Sequence, residues 1–494
     1  MEHTQDHQSA SHNRNKWLAL FVIALAQLMI VLDASIVNIA LPSAEKALSI
    51  STGNRQWVIT AYTLSFGGLL LLGGRIADYV GRKKIFVIGL LGFAASSALG
   101  GFALNGPMLF AARALQGGFG AVMAPAALSL ITVTFTEPKE RATAFGVYGG
   151  IAGGGAAIGL IVGGVLTQYA SWRWCLFVNT PVAILTAIAA IVIVKESKAE
   201  GNTKYDVPGA VLATLGLVSL VYGFTVASTN GWGSASTILY IITALVLLAG
   251  FIYYESNVSS NPLLPMRIIL DKNRGASYLV SLAAGIGMFG AFLFLTFYFQ
   301  GVLNYSALKA GFAFLPFSAG IILAAGAASK ILPKTGPRPL MALGFLAGSG
   351  GLLWMSQIGL HTDFFIHVMP SEIVMSMGMG FAFVSLSSTA LVGVSHHDAG
   401  VASATLNTSQ QIGGTLGTAL LNTIAANATR NYIGKNFANQ TVVLNGTIHG
   451  FSVGFLVGAF CLLVASIISV VMISDPHKDK SLRVSSSEVM LAST

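Results

Sequence analysis

The sequence predicts an all-α membrane protein of fourteen transmembrane helices, built as two six-helix bundles with a two-helix insertion between them. Only 9% of its 494 residues are Asp, Glu, Lys or Arg, whereas a soluble globular protein carries about 25%. Hydrophobic residues make up 54% of the chain and fall into runs long enough to span a bilayer. The 56 glycines suit helices that pack closely within a membrane.

Composition excludes several other classes of protein. Charge this scarce cannot cover the surface of a soluble chain, so a disordered chain, a disulfide scaffold and an ordinary cytosolic enzyme are excluded. The net charge of +9 does not form a Lys/Arg-rich soluble face, so no nucleic-acid partner is expected. The two cysteines, Cys175 and Cys461, lie in apolar stretches and are interpreted as packing residues.

The spans follow from a length rule, because a transmembrane helix needs roughly 20 mostly apolar residues. The first run begins at Trp17 and is about 25 residues long, which is longer than the core of a signal peptide. The connections are short, so neighbouring helices are antiparallel. The predicted spans are 17–42, 55–75, 84–104, 107–133, 141–168, 173–195, 206–228, 234–256, 276–300, 308–330, 337–359, 364–392, 398–426 and 448–474.

Lys and Arg are distributed unevenly over the two sides of this topology. With fourteen spans both termini share one side, and assigning that side to the cytoplasm places 20 of the 27 basic residues there. Arg113 falls inside a span. The other six lie on the opposite side: Lys46, Arg55, Arg173, Lys309, Arg430 and Lys435. Since cytoplasmic loops carry the excess of basic residues, the sequence predicts cytoplasmic termini.

The two halves of the chain echo one another. Basic turns rich in small residues follow the second span (74–84) and the tenth span (326–338), and glycines recur in the fifth and thirteenth spans. Repeated halves with a site at their interface are typical of secondary transporters. The predicted division is a cytoplasmic N-terminal tail (1–16), an N-terminal six-helix bundle (17–195), a linker with two extra transmembrane helices (196–260), a C-terminal six-helix bundle (261–475) and a cytoplasmic C-terminal tail (476–494).

Asp33 lies well inside the first span, in the segment 32–42. An ionised carboxylate is costly at that depth, and intramembrane acids mark transport pathways and proton relays. A carboxyl group that gains and loses a proton suits proton coupling, and a carboxylate in a pocket equally suits a cationic ligand. The alternative is a polar contact that fixes helix packing. Asn38, in the same segment, is a candidate for lining a cavity.

Arg113 is the basic residue inside a span, where it requires a carboxylate or carbonyl partner. Gln116, Gly117 and Gly120 lie on or near its helix face, at three-, four- and seven-residue spacing. The glycines permit close approach of a neighbouring helix, and Gln116 is a candidate for lining a cavity. Arg113 is predicted to tune a nearby acid or to link proton release to conformation. The alternative is a structural hydrogen-bond hub.

A conformational latch is predicted in the turn after the second span. Gly74 and Gly81 permit a tight turn. Asp78 can accept hydrogen bonds from a helix N-terminus or pair with an arginine such as Arg82. Contacts of this kind can form in one conformation and break in another. A topology signal alone would explain Arg82 and the lysines beside it but not Asp78.

Glycines recur through the fifth span in two rows at four-residue spacing. Small residues at this spacing permit close contact between helices, and a glycine-rich helix can bend or slide while two bundles move. One row contains Gly146, Gly150 and Gly154, and the other contains Gly155, Gly159 and Gly163, followed by Gly164.

Two further spans carry candidate site residues. Glu372 follows Pro370 in the twelfth span and is a second candidate for proton coupling or substrate binding. A shift of the span's boundary would place it in the outer interface instead. Asn407, Gln410 and Gln411 give the thirteenth span a polar face that could line a cavity.

Enzyme chemistry is not predicted. The intramembrane polar groups are isolated, without a nucleophile–base–acid cluster or a set of metal ligands. The sequence contains no GxxxxGK[ST] phosphate-binding loop and thus no sign of an ATP-driven pump. We therefore expect no metal and no cofactor, with a proton gradient as the energy source.

The Asp33 segment, the 74–84 turn, the Arg113 helix and the glycine-rich fifth span resemble, in order and spacing, the signature motifs of the major facilitator superfamily. The fourteen spans and the Trp-Arg-Trp stretch at 172–181 narrow this resemblance. Together they resemble the fourteen-helix drug:proton antiporter family of multidrug efflux transporters, over about 17–475.

This resemblance implies two six-helix bundles and a linker helix pair that alternate access to a central cavity. It implies export of amphipathic, often cationic compounds in exchange for protons, by a monomer in the bacterial plasma membrane whose partners are small molecules, protons and lipid. By motif match, Asp33 would be the membrane acid of proton coupling or cation binding. Arg113 would serve proton transfer, and Asp78 and Arg82 would belong to the latch.

One departure from the family's pattern lies in the antiport motif of the fifth helix, where the usual Gly-Pro is replaced by Gly159-Leu160. An importer or uniporter of a small organic solute on the same fold therefore stays open as an alternative. The direction of flux under an imposed proton gradient separates the two. A non-transporting membrane sensor is a second alternative, opposed by the lack of a sizeable soluble domain in the sequence.

Overall fold

The computed structural model describes residues 2–51, 53–198, 206–260, 262–264, 266–391, 399–434 and 439–474. Each predicted span corresponds to one helix of this described chain, and we number these helices α1 to α14. Short breaks interrupt α6 and α10, and a π-helical turn forms the end of α9 and the start of α12. The bounds are α1 Glu2–Ala47, α2 Trp57–Val80, α3 Arg82–Gly101, α4 Gly106–Thr134, α5 Pro138–Tyr169, α6 Trp174–Phe177 and Asn179–Ile193, α7 Val207–Asn230, α8 Ala235–Asn257, α9 Lys272–Phe297 and Tyr298–Val302, α10 Ala307–Ala313 and Leu315–Thr335, α11 Pro337–Met355, α12 Phe364–Val368 and Met369–Leu391, α13 Ala399–Ile433 and α14 Gln440–Met472.

The predicted all-α membrane fold is confirmed. Within the described residues, ten helices are long and apolar enough to cross a membrane by length and composition. Shorter apolar stretches lie in α2, at Trp57–Leu70, and in α5, at Ile158–Tyr169. Helices α11 and α13 are also absent from the ten, and in α13 Asn, Gln and Thr side chains interrupt the apolar residues.

The helix ends differ from the predicted spans because capping groups, rather than the limits of apolar runs, determine where a helix begins. Helix α14 begins at Gln440, well before the predicted span, because the Asn439 side chain accepts hydrogen bonds from the amides of Thr441 and Val442 at 3.0 and 3.3 Å. Helix α1 runs from Glu2, inside the predicted polar tail, through Pro42 to Ala47.

Two glycines turn the chain at matching places in the two halves. Gly81 joins α2 to α3 with a φ of 129°, and Gly336 joins α10 to α11 with a φ of 78°. L-residues with a side chain rarely adopt these values, so both turns favour glycine. The two basic turns that echo one another in sequence therefore share a backbone requirement.

The two bundles use the same set of helix contacts. In the N-terminal bundle α1 packs on α5, α2 on α4, and α3 on both α4 and α6. In the C-terminal bundle α9 packs on α13, α10 on α12, and α11 on both α12 and α14. Each bundle encloses buried apolar side chains, such as Phe86 and Phe93 in the first and Phe345 and Phe455 in the second.

The hairpin of α7 and α8 lies against both bundles. Leu217 and Val221 of α7 form a buried apolar cluster with Leu64 of α2 and Ala419 of α13. The Thr423 hydroxyl of α13 also donates a 2.9 Å hydrogen bond to the carbonyl of Phe224. The inserted hairpin is thus packed along the line where α2 meets α13.

Candidate functional site

The centre of the N-terminal bundle contains a buried ion pair between α1 and α4. Nη1 of Arg113 lies 2.6 Å from Oδ2 of Asp33, and the two side chains are 2% and 0% exposed. A buried charge without a partner is very costly, so each of these groups depends on the other for its burial. The two residues that the sequence singles out on separate helices are in direct contact.

Polar side chains satisfy the other atoms of this pair. Gln116 accepts a 2.6 Å hydrogen bond from Arg113 through Oε1 and donates a 2.8 Å bond to Oδ1 of Asp33 through Nε2. Nδ2 of Asn179 donates to the same Oδ1 at 2.7 Å. Ser97 Oγ accepts from the amide groups of both Gln116 and Asn179, at 3.1 and 3.2 Å. We call these five residues the polar cluster.

The arginine of the polar cluster is fixed from two further directions. Its Nε donates a 3.1 Å hydrogen bond to the carbonyl of Val58 on α2, and its guanidinium carbon lies 4.4 Å from the centre of the Tyr62 ring. A cation over an aromatic face is attracted by the ring quadrupole. Helices α1, α3, α4 and α6 therefore contribute residues to the polar cluster, and α2 contacts its arginine.

In this arrangement the Asp33 carboxylate can bind either of two positive partners, the Arg113 guanidinium or a proton. As a carboxylate, Asp33 accepts hydrogen bonds from Arg113, Gln116 and Asn179. Adding a proton to Asp33 would remove its charge and weaken its bond to Arg113. A proton on Asp33 and the ion pair are thus competing states of the same group.

Two members of the polar cluster, Ser97 and Asn179, were not predicted from the sequence, and a third, Gln116, was predicted at a different place. Ser97 and Asn179 carry no distinguishing spacing, although Asn179 lies within the 172–181 stretch. Gln116 is predicted to line a cavity, but it is fully buried within the polar cluster. Its position three residues after Arg113 indicated the shared helix face but not what that face contacts.

Two adjacent glycines of α4 allow a test of how closely this helix must pack. A Cβ at Gly117 would collide with the backbone carbonyl of Tyr62, whereas a Cβ at Gly118 would meet only the Leu69 side chain, at 3.6 Å. We expect Gly117→Ala to destabilise the protein by roughly 1–3 kcal/mol, the usual cost of overpacking. We expect Gly118→Ala to leave the unfolding temperature unchanged. Thermal unfolding of the two purified variants decides this, and equal midpoints would contradict the packing described.

The row of Gly155, Gly159 and Gly163 and the adjacent Gly164 contact two different neighbours, whereas the side-chain positions of Gly146, Gly150 and Gly154 lie outside the described part of α5. A Cβ at Gly155, Gly159 or Gly163 would press on α1, at 3.0 Å from Leu28, 2.8 Å from Ser35 and 2.9 Å from Ile36 respectively. A Cβ at Gly164 would instead lie 2.7 Å from the Cα of Leu308 on α10. One row therefore packs within the N-terminal bundle, and Gly164 packs against the other bundle.

The predicted latch region is organised around a carboxylate that the sequence analysis did not select. The Glu196 carboxylate accepts hydrogen bonds at 3.1 Å from the amides of Lys83 and Lys84, at the N-terminus of α3. An acid at this position is stabilised by the free amides of the helix.

The predicted latch residues lie around this turn. Gly81 begins the turn, and a Cβ at Gly74 would lie 3.3 Å from Pro125. The amide of Arg82 donates to the Ser197 carbonyl at 2.9 Å. The side chain of Asp78 lies outside the described part.

Glu372 lies within the C-terminal bundle and is fully buried. Within the described part of the chain, neither of its carboxylate oxygens has a hydrogen-bond partner. It lines a cavity of about 10 Å³ together with apolar residues of α9, α10, α11, α12 and α14. The structure therefore places Glu372 in the interior of the C-terminal bundle.

The remaining candidates for cavity lining differ in exposure. Asn407 is exposed and Gln410 is half-buried, both on α13. Gln411 is also half-buried, and a Cβ at Gly67 of α2 would lie 3.1 Å from its Cβ. Asn38 is half-buried and donates to the carbonyl of Ala34 at 3.1 Å. These four side chains do not contact the polar cluster through any hydrogen bond described here.

The two bundles meet at one end of the molecule, which carries the α1–α2 and α9–α10 connections and which we call the gate end. Hydrogen bonds join the two bundles at this end. They connect α1 with α9, the α1–α2 connection with α13, α2 with α13, and α5 with α10. They run from Gln300 to the Ile39 carbonyl (3.0 Å), from Arg55 to Asn422 (3.5 Å), from Asn422 to Gln56 (2.8 Å), from Thr415 to Thr63 (2.8 Å) and from the Leu308 amide to Gln168 (3.3 Å).

Arg55 gives the gate end a buried cation. Its guanidinium carbon lies 3.9 Å from the centre of the Phe297 ring of α9. Burial lowers the pKa of the Arg55 guanidinium to about 10, against the opposing effect of the Glu45 carboxylate. Arg55 therefore keeps its charge at neutral pH. In this structure the gate end is closed.

Comparison with protein families gives a match over most of the chain. The family profile described as the Major Facilitator Superfamily matches residues 23–418. Among solved structures, a bacterial homologue of the human lysosomal transporter Spinster, in an inward-facing and unoccupied conformation, has a TM-score of 0.67 and 15% sequence identity. That match covers 93% of this chain and 97% of the other.

Several curated proteins are similar in sequence over most of their length. The puromycin resistance protein of Streptomyces alboniger is 44% identical over 461 residues, covering 93% of this chain and 91% of that protein. The cephamycin export protein of Amycolatopsis lactamdurans is 35% identical, covering 83% of this chain and 85% of that protein. The tetracenomycin C resistance and export protein of Streptomyces glaucescens is 32% identical, covering 85% and 78%.

Proposed function

Because this chain belongs to the major facilitator superfamily and is similar throughout its length to proteins of antibiotic resistance and export, we propose that it is an efflux transporter. It exports small amphipathic organic compounds, in exchange for protons, by alternating access between the two bundles. The observation that carries proton exchange is the buried pair of Asp33 and Arg113, whose carboxylate is fully satisfied.

Asp33 is the group that takes up the proton in this proposal. With the gate end open, Asp33 receives a proton and the substrate leaves. With the gate end closed, Asp33 releases the proton, and Arg113 replaces it as the positive partner. The structure corresponds to this second state, because Asp33 is bonded to Arg113 and the bundles are joined at the gate end. Substrate and proton therefore compete through the conformation of the protein.

The orientation in the membrane completes the proposal. The distribution of Lys and Arg supports cytoplasmic termini, and in the proposed orientation the gate end faces outward. The protein is proposed to act as a monomer in the bacterial plasma membrane. The names of the relatives make puromycin the first compound to test, followed by cephamycin and tetracenomycin C.

Transport into inside-out vesicles tests the direction and the coupling together. Vesicles from an efflux-deficient host that expresses the protein should accumulate puromycin when their lumen is acidified. A protonophore that collapses the gradient should remove the accumulation, and vesicles without the protein should show none. Puromycin leaving the vesicles down the proton gradient would identify an importer, and accumulation that survives the protonophore would exclude proton exchange.

A further inference from the structure

The two bundles are related residue by residue through their closest helix contacts. A Cβ at Gly89 of α3 would touch Met123 of α4, and a Cβ at Gly344 of α11 would touch Ala382 of α12. Adding 255 to the α3 number and 259 to the α4 number converts the first pair into the second. The same shifts convert the contact of residues 92 and 119 into the contact of residues 347 and 378.

The other helices of the bundles follow the same kind of rule. A Cβ at Gly159 of α5 would touch Leu32 of α1, and a Cβ at Gly417 of α13 would touch Ile286 of α9. The hydroxyl–carbonyl bond between α6 and α3, at residues 180 and 94, corresponds to the bond between α14 and α11, at residues 459 and 349. Every position of the polar cluster therefore has a defined counterpart in the C-terminal bundle.

The counterpart of Arg113 is Glu372. The other four members of the polar cluster correspond to residues without a polar side chain. Asp33 corresponds to Gly287, Ser97 to Leu352, Gln116 to Met375 and Asn179 to Gly458. The C-terminal bundle thus has one ionisable group at the matching place, of opposite sign, and has lost all the groups that would bond to it.

The surroundings of Glu372 do not suit a carboxylate ion. Its cavity walls include Phe292, Phe314, Phe317 and Phe455. An ionised carboxylate buried without a hydrogen bond costs several kcal/mol. The cavity of about 10 Å³ has room for no more than one water molecule, and an organic compound does not fit. In the closed state this site therefore suits a proton.

The ionisable side chains near the gate end do not compensate that charge. None of them lines the cavity within the described residues. Tyr298 of α9 donates to the Gly359 carbonyl at 2.7 Å, and Lys309 of α10 lies over the Tyr305 ring. Asp363, which precedes α12, accepts a hydrogen bond from the Ile366 amide, and His367 of α12 accepts one from Trp354. The His449 ring of α14 lies 5.2 Å from the Tyr432 ring of α13, at a tilt of 35°. No ionisable side chain of α11 lines the cavity either.

Part of the wall of this cavity comes from α10, which also packs against α5 of the other bundle at the gate end. Phe314 lies at the break in α10, three residues after Gly311. A Cβ at Gly311 would lie 2.5 Å from the Leu160 carbonyl on α5 of the other bundle. Opening of the gate end would remove this contact, so that Phe314 would no longer be fixed and water would reach Glu372 from the outer side.

We propose that Glu372 is a second proton site, which exchanges its proton with the outer solution and must be protonated for the gate end to close. The inference rests on the proposed function, which assigns the gate end to the outer side of the membrane. Protonation of Glu372 differs from that of Asp33, because it permits closure rather than competing with an arginine. Acid outside the cell therefore speeds the return of the protein to the inward-facing state.

The distance between two spin labels across the gate end tests this proposal in the full chain. Leu104 and Ile366 are exposed residues near the gate end of the two bundles, and each is replaced by a labelled cysteine in a Cys175→Ala, Cys461→Ala background. In lipid nanodiscs without substrate, the closed-to-open ratio should rise at least about tenfold from about pH 8.5 to about pH 5.5. In Glu372→Gln, which resembles the protonated form in shape, the closed state should dominate at both pH values.

A control variant makes the result specific. Met355→Leu changes the same cavity wall without changing the carboxyl, and it should keep the pH response of the unmodified protein. A Glu372→Gln protein that still opens and closes with pH would overturn the proposal, as would one that stays open. Failure of the proposed export would appear instead as lack of gradient-driven transport, with the label distances unaffected.

Discussion

The double variant Asp33→Asn, Arg113→Gln is expected to be more stable than either single variant and yet unable to use a proton gradient. Each single variant leaves one buried charge without its partner, which costs roughly 3–5 kcal/mol. The double variant removes both charges and keeps amide groups that can bond to Gln116 and Asn179. Thermal unfolding of the three purified proteins measures the first part, and accumulation of puromycin in inside-out vesicles measures the second.

The ion pair of Lys16 and Glu140 provides the control for this comparison of single and double variants. Lys16 and Glu140 lie 3.3 Å apart with 20% and 23% exposed side chains, so Glu140→Gln should cost less than about 1 kcal/mol and leave transport intact. If the double variant transports with the proton dependence of the unmodified protein, the pair of Asp33 and Arg113 serves only to fix helix packing. Additive losses of stability would show that the two charges do not depend on each other.

Gly311→Ala is expected to prevent closure of the gate end. The new methyl group would lie 2.5 Å from the Leu160 carbonyl, and a backbone atom cannot move aside as a side chain can. Overpacking of this kind costs roughly 1–3 kcal/mol, and here the cost is restricted to the closed state because α5 and α10 separate when the bundles part. The closed population should therefore fall by about tenfold or more.

Disulfide formation between α2 and α13 measures that population. The hydroxyl oxygens of Thr63 and Thr415 lie 2.8 Å apart in the closed state, so a Thr63→Cys, Thr415→Cys protein should cross-link readily. Adding Gly311→Ala should slow the cross-linking. Gly326→Ala is the matched control on the same helix, because a Cβ there meets no described atom within 4 Å. Equal rates with Gly311→Ala and Gly326→Ala would refute the proposed collision.

The fold was predictable because membrane helices obey a length rule that needs no knowledge of partners. The same rule could not locate helix ends, since α14 begins where Asn439 caps it and not where apolar residues begin. Asp33 and Arg113 were predictable because a charge inside a span is rare enough to be noticed without a structure.

The partners of these charges could not be predicted in the same way. Asn179 lies 146 residues from Asp33 in sequence, and Ser97 is one of many serines in apolar helices. Amide and hydroxyl groups are common in membrane helices, so only the packing of α1, α3, α4 and α6 selects the ones that matter. Glu372 was identified as an acid within a span, but its relation to Arg113 required the contacts of both bundles.

The α7–α8 hairpin has a consequence for the way lipid surrounds the protein. It covers the line between α2 and α13, and only 17% of the most apolar part of α8 is buried, so α8 forms the outer surface on that flank. The line between α5 and α10 carries no such hairpin in the described chain. The hairpin thus shields the junction of the bundles from acyl chains on the α2–α13 flank, whereas no described helix shields it on the α5–α10 flank.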